Sequence, residues 1–169
     1  MNRIEKRMQE LQQRGEKALI TYITAGLPDM EGTKKLIRAQ EEAGVDVVEL
    51  GIPFSDPVAD GPVIQDASYR SILKGTTLRK VLAMVKELRA EGCEQPLIFM
   101  MYYNTVMSYG VQNFADACVK IGIDGLIIPD LPMEEQGELK EALAGREETV
   151  IISLVSPESG DRIPKLAGE

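Results

Sequence analysis

Two carboxylates in one short stretch, Glu49 and Asp60, are the first candidates for chemistry in this sequence. They lie in the segment ELGIPFSDPVADGP at 49–62, directly after an apolar run. The 169 residues include no histidine, which excludes a Ser-His or Cys-His catalytic couple. General acid–base chemistry must therefore use carboxylates, Lys, Tyr or Cys.

The position of Glu49 within its apolar run favours an inward-facing carboxyl. Side chains alternate along a strand, so Val47, Glu49 and Gly51 share one face, and Val48 and Leu50 share the other. The two large aliphatics suit packing against helices, which turns Glu49 towards the opposite face. Apolar surroundings raise the pKa of a carboxyl, as a general acid requires. The alternative is a polar side chain that merely reaches solvent at a strand end.

The loop after this run is rich in Pro, Gly and Asp, including Asp56 and Asp60. Such residues are common in ordinary turns. Long loops without secondary structure are nevertheless often binding loops in compact domains. A functional role for Asp60 and plain turn chemistry both stay open at this point.

Short apolar runs alternate with amphipathic stretches along the chain. The runs predict parallel strands buried on both faces, at 19–24, 45–50, 97–102, 125–129 and 149–155. Helices are predicted between the strands. One of them begins after Thr77 as its N-cap, and another ends at Gly122. A further helix with an apolar face is predicted at the N-terminus. The stretch 51–75 predicts a long loop with a short helix, and 161–166 predicts the start of a last helix. A weak repeat is visible in AGVDVVEL at 43–50 and IGIDGLII at 121–128, where a glycine that ends a helix is followed by Asp and a predicted strand.

Repeated βα units form either an open doubly wound sheet or a (β/α)₈ barrel. No GxGxxG or P-loop motif follows any predicted strand, which disfavours nucleotide-binding open sheets. Five units and an N-terminal helix fit the first part of a barrel, since a complete barrel takes about 250 residues. We therefore predict a single domain over 1–169, an incomplete (β/α)₈ barrel, although periodicity alone does not decide between the two folds.

Composition excludes several classes of protein. The net charge is −8 and no Lys/Arg block is present, so nucleic-acid binding is not expected. No apolar run approaches the roughly 20 residues of a membrane span, and the N-terminus lacks the apolar core of a signal peptide. A cytoplasmic protein is expected. The two cysteines form no CxxC pair, so we predict no metal site.

Four segments resemble the tryptophan synthase alpha subunit family. The longest is ELGIPFSDPVADGPVIQDA at 49–67, and the others are YITAGLPD at 22–29, MYYN at 101–104 and DGLIIPDLPMEE at 124–135. The similarity spans essentially the whole chain. It implies a (β/α)₈ barrel and a lyase of tryptophan biosynthesis that needs no cofactor in this subunit.

The resemblance also implies a reaction and roles for residues. The family cleaves indole-3-glycerol phosphate to indole and glyceraldehyde 3-phosphate. In the family, the glutamate that corresponds to Glu49 acts as the acid and base, and the aspartate that corresponds to Asp60 contacts the indole nitrogen. Tyr22 and Tyr102, expected at the ends of the first and third strands, match residues that line the indole pocket. Tyr22 departs from the Phe that is frequent in the family. For both tyrosines the alternative is an aromatic plug in the barrel core.

A partner surface is implied as well. The family works in an α₂β₂ heterotetramer with a beta subunit that uses pyridoxal phosphate, which we do not expect to be bound here. Pro53 and Asp56 match a loop that contacts that subunit, and Asn104 and Asp130 are expected on the same rim. Ordinary turn chemistry is the alternative for these residues.

Strands 6 to 8 and the phosphate-binding loops of a barrel are not recognisable in the 169 residues. Two interpretations follow: a lyase whose acid–base pair lies in this segment, or an incomplete barrel that folds, and binds a partner, without turnover. A different barrel enzyme acting on phosphorylated sugars is a third, weaker one. We also expect open strand edges that promote self-association, and no tight binding of glycerol phosphate.

Overall fold

A computed structural model describes residues 2–166 as one sheet with helices packed against it. The five strands are β1 (Ile20–Thr24), β2 (Val47–Gly51), β3 (Leu97–Met100), β4 (Gly125–Ile127) and β5 (Val150–Ile151). Each neighbouring pair is parallel, and the strands lie side by side in chain order. A doubly wound sheet reverses its strand order at a switch point, so this sequential order is that of a barrel.

Helices connect the strands, and their caps were largely predictable. They are α1 (Arg3–Arg14), α2 (Met30–Glu42), α3 (Pro62–Leu73), α4 (Leu78–Ala90), α5 (Tyr103–Tyr109), α6 (Val111–Ile121), α7 (Gly137–Ala142) and α8 (Ile163–Leu166). The Thr77 side chain accepts a hydrogen bond from the Lys80 amide at the start of α4, and Gly122 ends α6 with a φ of 77°. Both predicted caps are therefore confirmed. Within residues 2–166, no helix is both long and apolar enough to cross a bilayer.

The stretch after β2 contains more helix than predicted. A helix of 12 residues, α3, occupies about half of the region predicted as a loop with a short helix. Gly61 is its N-cap and Pro62 fills its first turn, where a missing amide costs no hydrogen bond. Its buried face carries small polar side chains, Ser68 and Ser71. An apolar stripe, the feature that identified the other helices, is therefore missing here.

The fifth strand and the last helix are shorter than predicted. The strand covers Val150–Ile151 rather than 149–155, because it pairs only with β4, itself a strand of 3 residues. Leu154 beyond it is exposed. The helix predicted over 161–166 begins at Ile163, after the 3₁₀ segment Pro157–Arg162.

The third strand ends earlier than predicted, which changes the setting of two candidate residues. β3 stops at Met100, and Tyr102 is the N-cap residue of α5 rather than the end of the strand. Asn104 lies in the first turn of that helix. Both residues still follow the C-terminal end of β3, so they stay at the same end of the sheet.

The two faces of the sheet bury different apolar clusters. Val48 and Leu50 point outwards into the large cluster formed with the helices. Val47 points inwards and packs with inner-face residues of β3 and β4, and with Ile4 and Met8 of α1. The N-terminal helix therefore covers the inner face near the N-terminal ends of the strands. Because Val47 and Glu49 share a face, the alternation predicted for β2 is confirmed.

The weak sequence repeat corresponds to two equivalent buried aspartates. Asp46 precedes β2 and accepts a hydrogen bond from the Leu19 amide at 2.7 Å. Asp124 precedes β4 and accepts one from the Leu97 amide at 2.9 Å. Each aspartate thus ties the start of its own strand to the start of the preceding one.

Both aspartates also hold α1 against the sheet. Arg7 Nε lies 2.7 Å from Asp46 Oδ1, and Arg3 Nη1 lies 3.0 Å from Asp124 Oδ1. Arg89 of α4 adds a second cation to Asp124, with Nη2 at 2.9 Å from Oδ2. The side chain of Asp124 is 1% exposed, so its charge depends on these partners.

Candidate active site

Glu49 lies on the inner face near the C-terminal end of β2. Its register partner on β1 is Tyr22, so both side chains lie in one row of the sheet. The flanking Val48 and Leu50 are fully buried on the outer face, whereas Glu49 is half-buried. Catalytic groups of barrel enzymes lie at this end of the strands.

The environment of Glu49 changes its acidity. Burial raises the pKa of the Glu49 carboxyl above its ordinary value, because an ionised carboxylate is poorly solvated there. A carboxyl of this kind keeps its proton to higher pH than an exposed glutamate. It can then donate a proton in one step and accept one in another.

Asp60 lies near the end of the loop at 52–61, which crosses above the inner face. Its backbone carbonyl accepts a hydrogen bond from Gln65 Nε2 at 2.8 Å, which ties the loop to the first turn of α3. Asp60 also lies close enough to two tyrosines to influence their acidity. The loop therefore brings Asp60 to the end of the sheet where Glu49 lies.

Tyr22 reaches diagonally from β1 across β2, where Gly51 leaves room for it. A Cβ atom at Gly51 would lie only 2.0 Å from the Tyr22 hydroxyl, so any side chain there would displace the phenol. Burial raises the pKa of the Tyr22 phenol, and the charges of Asp60 and Glu49 raise it further. Interaction with Thr24 lowers this pKa, but its effect is smaller than that of burial. Tyr22 thus lies near both carboxylates and keeps its proton.

Tyr102 contacts the loop that carries Asp60. Its ring lies 5.2 Å from the Phe54 ring, centroid to centroid, and its hydroxyl accepts a hydrogen bond from the Ala59 amide at 2.9 Å. Burial raises the pKa of the Tyr102 phenol, and the nearby charge of Asp60 acts in the same direction. The structure therefore brings Glu49, Asp60 and both tyrosines to one end of the sheet.

A small cavity of about 10 Å³ lies between Asp60 and the two tyrosines. Its lining includes Tyr22, Ile52, Asp60, Ser68, Met100, Met101, Tyr102 and Pro129. Sequence analysis did not single out Met100, although alternation along β3 places it on the inner face. Ser68 was missed because only a short helix was predicted in this stretch, and the face that α3 buries was not recognised. The cavity has room for about one water molecule, so a larger ligand requires side chains to move.

The four residues predicted to contact a partner lie on loops or helix starts after β2, β3 and β4. Asp56, Asn104 and Asp130 are exposed, and Pro53 is half-buried. Asp130 Oδ1 accepts a hydrogen bond from the Tyr103 amide at 2.9 Å, which joins two of these loops. We call these four residues the rim; they follow the C-terminal ends of β2, β3 and β4, and their contact with a partner stays a prediction. Within residues 2–166, no cluster of three or more His, Cys, Asp or Glu side chains has the arrangement of a metal site.

The fold and the site together define a protein of the (β/α)₈-barrel class with two carboxylates at the C-terminal ends of its strands. A family model described as tryptophan synthase alpha chain matches residues 8–169. The chain therefore belongs to the tryptophan synthase alpha chain family.

Individual relatives agree with this assignment. A tryptophan synthase alpha chain from Lachnospira eligens is 56% identical over 167 residues, which is 98% of this chain and 63% of the relative. A solved alpha subunit from Legionella pneumophila superposes with a TM-score of 0.92 at 40% identity, covering 98% of this chain and 63% of that one. The alignment with the tryptophan synthase complex from Pyrococcus furiosus has a TM-score of 0.79 at 39% identity, covering 88% of this chain and 61% of that one. The chain thus spans about 63% of the length of the first of these relatives.

Proposed function

We propose that this chain carries the acid–base site of a lyase that cleaves indole-3-glycerol phosphate. The observation that supports this most strongly is Glu49, a half-buried carboxyl with a raised pKa on the inner face at the C-terminal end of β2. Asp60 approaches the same space from the following loop. A location in the cytoplasm stays a prediction.

The chemistry requires two carboxylates with different tasks. Cleavage breaks the bond between indole C3 and the first glycerol carbon, and its electron pair returns to the indole ring. Protonated Glu49 donates to C3, and its ionised form takes the proton of the adjacent glycerol hydroxyl, which becomes the aldehyde of glyceraldehyde 3-phosphate. The indole N–H gains positive character meanwhile, and the Asp60 carboxylate stabilises it. Tyr22 and Tyr102 form walls of the indole pocket.

A single-turnover experiment tests this proposal. The 169-residue chain is mixed in excess with indole-3-glycerol phosphate, and the release of indole is followed. Cleavage above the uncatalysed rate supports a lyase. Calorimetric titration with glycerol phosphate tests the alternative, an incomplete barrel without turnover. Barrel phosphate sites are built mainly by the loops after strands 7 and 8. The alternative therefore predicts no micromolar binding of glycerol phosphate. Absence of both cleavage and binding would support it.

We also propose that the rim around Asp56 contacts a tryptophan synthase beta subunit, because relatives such as the Pyrococcus furiosus protein were solved as a complex. Asp56→Lys should weaken binding to a beta subunit at least tenfold, since it reverses a charge at the centre of the rim. The matched control is Glu42→Lys, an exposed position at the end of α2 and at the opposite end of the barrel. Equal losses for both variants in a pull-down titration would contradict the rim as the contact surface.

Self-association of the 169-residue chain is a further proposal. Among residues 2–166, β1 pairs only with β2 and β5 only with β4, and Ile20 on β1 is 46% exposed. Unpaired strand edges with apolar side chains are templates for association. Sedimentation at several concentrations should show a rising mass, and Ile20→Lys should reduce it. A monomer at every concentration would contradict open edges.

A further inference from the structure

The side chain of Tyr102 contacts the loop at 52–61 at two places. Tyr102 stacks against Phe54 near the start of the loop, with ring centroids 5.2 Å apart. Its hydroxyl accepts the Ala59 amide hydrogen bond at 2.9 Å, next to Asp60 at the end of the loop. The same residue therefore contacts both ends of the segment that presents Asp60.

Tyr102 is well placed to fix a loop. It is 5% exposed and belongs to the short connection between β3 and α5, both of which pack into the large apolar cluster. Ala59, by contrast, is exposed. Burial does not hold the backbone of Ala59 in place, so its hydrogen bond to the Tyr102 hydroxyl has to do so.

We propose that Tyr102 is a positioning residue that acts through Asp60, beyond any role as a wall of the indole pocket. Its hydroxyl accepts the amide hydrogen bond of Ala59, and this fixes the backbone directly before Asp60, so that the Asp60 side chain is held beside the cavity that both residues line. The catalytic part of this inference rests on the proposed lyase function. The structural part, that the hydroxyl orders the loop, does not.

Tyr22 provides a matched control. It is a second tyrosine that lies near both carboxylates, but its hydroxyl lies beside Gly51 of β2. Tyr22→Phe and Tyr102→Phe each remove one oxygen atom from the site and keep the ring. Only Tyr102→Phe removes the acceptor of the Ala59 amide.

Amide hydrogen exchange of Ala59 tests the structural part without any activity. In Tyr102→Phe the Ala59 amide should exchange at least tenfold faster than in the parent, because the variant removes the acceptor of its hydrogen bond. Tyr22→Phe should leave this rate unchanged. Phe54→Leu, which keeps the Tyr102 hydroxyl, should keep most of the protection. An unchanged Ala59 rate in Tyr102→Phe, at unchanged thermal stability, would overturn the proposal.

A double-mutant cycle tests the catalytic part by single-turnover indole release. Tyr102→Phe should slow cleavage about tenfold in the parent, the loss expected when one hydrogen bond that orders the loop before Asp60 is removed. In an Asp60→Asn background it should slow cleavage less than twofold, because the residue that it positions is already impaired. Losses that multiply independently would mean that Tyr102 acts on the substrate directly, and would overturn the proposal. If the parent cleaves nothing, the lyase function fails, while the exchange rates still decide whether Tyr102 orders the loop.

Discussion

Glu49→Gln should reduce single-turnover release of indole by about 10²- to 10⁴-fold, the usual contribution of a general acid–base group. The amide keeps the size and the hydrogen-bonding shape of the carboxyl but cannot transfer the proton. Binding of the substrate should therefore change little, so the loss should fall on the rate of the bound complex. The measurement is indole release at saturating indole-3-glycerol phosphate, with the apparent dissociation constant from the concentration dependence.

The same substitution should make the folded protein more stable at neutral pH. Burial raises the pKa of Glu49 in the folded state, so its ionisation disfavours folding as pH rises above the ordinary glutamate value. Below that value the carboxyl is protonated in both states and the penalty disappears. Urea unfolding of Glu49→Gln should therefore show a gain over the parent at pH 7 that vanishes near pH 4. Glu42→Gln, at an exposed position, serves as the control for stability.

For the activity of the same variant, cleavage of indole-3-glycerol phosphate by Glu49→Gln at a near-parental rate would contradict a role for Glu49 in the mechanism.

Asp124→Ala should lower the free energy of unfolding by about 3–5 kcal/mol, the cost of leaving a buried charge without its partner. The carboxylate accepts hydrogen bonds from Arg3, Arg89 and the Leu97 amide, at 2.9–3.0 Å. Removing it leaves Arg89, whose side chain is 11% exposed, beside an empty acceptor position. Urea denaturation of the parent and the variant measures the difference.

An exposed ion pair supplies the control for Asp124. Asp116 pairs with Arg146 on the surface, and its side chain is 52% exposed. Exposed pairs contribute little, since water solvates both charges and salt screens them. Asp116→Ala should therefore change stability far less than Asp124→Ala. Equal effects would show that the buried network does not anchor α1 and α4 to the sheet.

The sequence by itself determined the βα alternation, the inward direction of Glu49 and the family. Local features carry this information. Alternation along β2 separates Val48 and Leu50 from Glu49, and the Thr77 and Gly122 caps follow from backbone geometry at helix ends. The repeat that includes Asp46 and Asp124 was visible as well, but its meaning was not.

Only the tertiary structure decided what depends on contacts between distant segments. The sequential order of the strands distinguishes a barrel from an open sheet. The sequence could not, because the residue pattern of each βα unit is the same in either fold. The length of α3 was underestimated because its buried face is polar, and β5 is short because, within residues 2–166, it pairs with β4 alone. The Tyr102 hydroxyl meets the Ala59 amide across 43 residues of sequence, a pairing that neither segment encodes alone. Local residue patterns thus determined the elements and the inward carboxyl, whereas packing decided which side chain holds Asp60 in place.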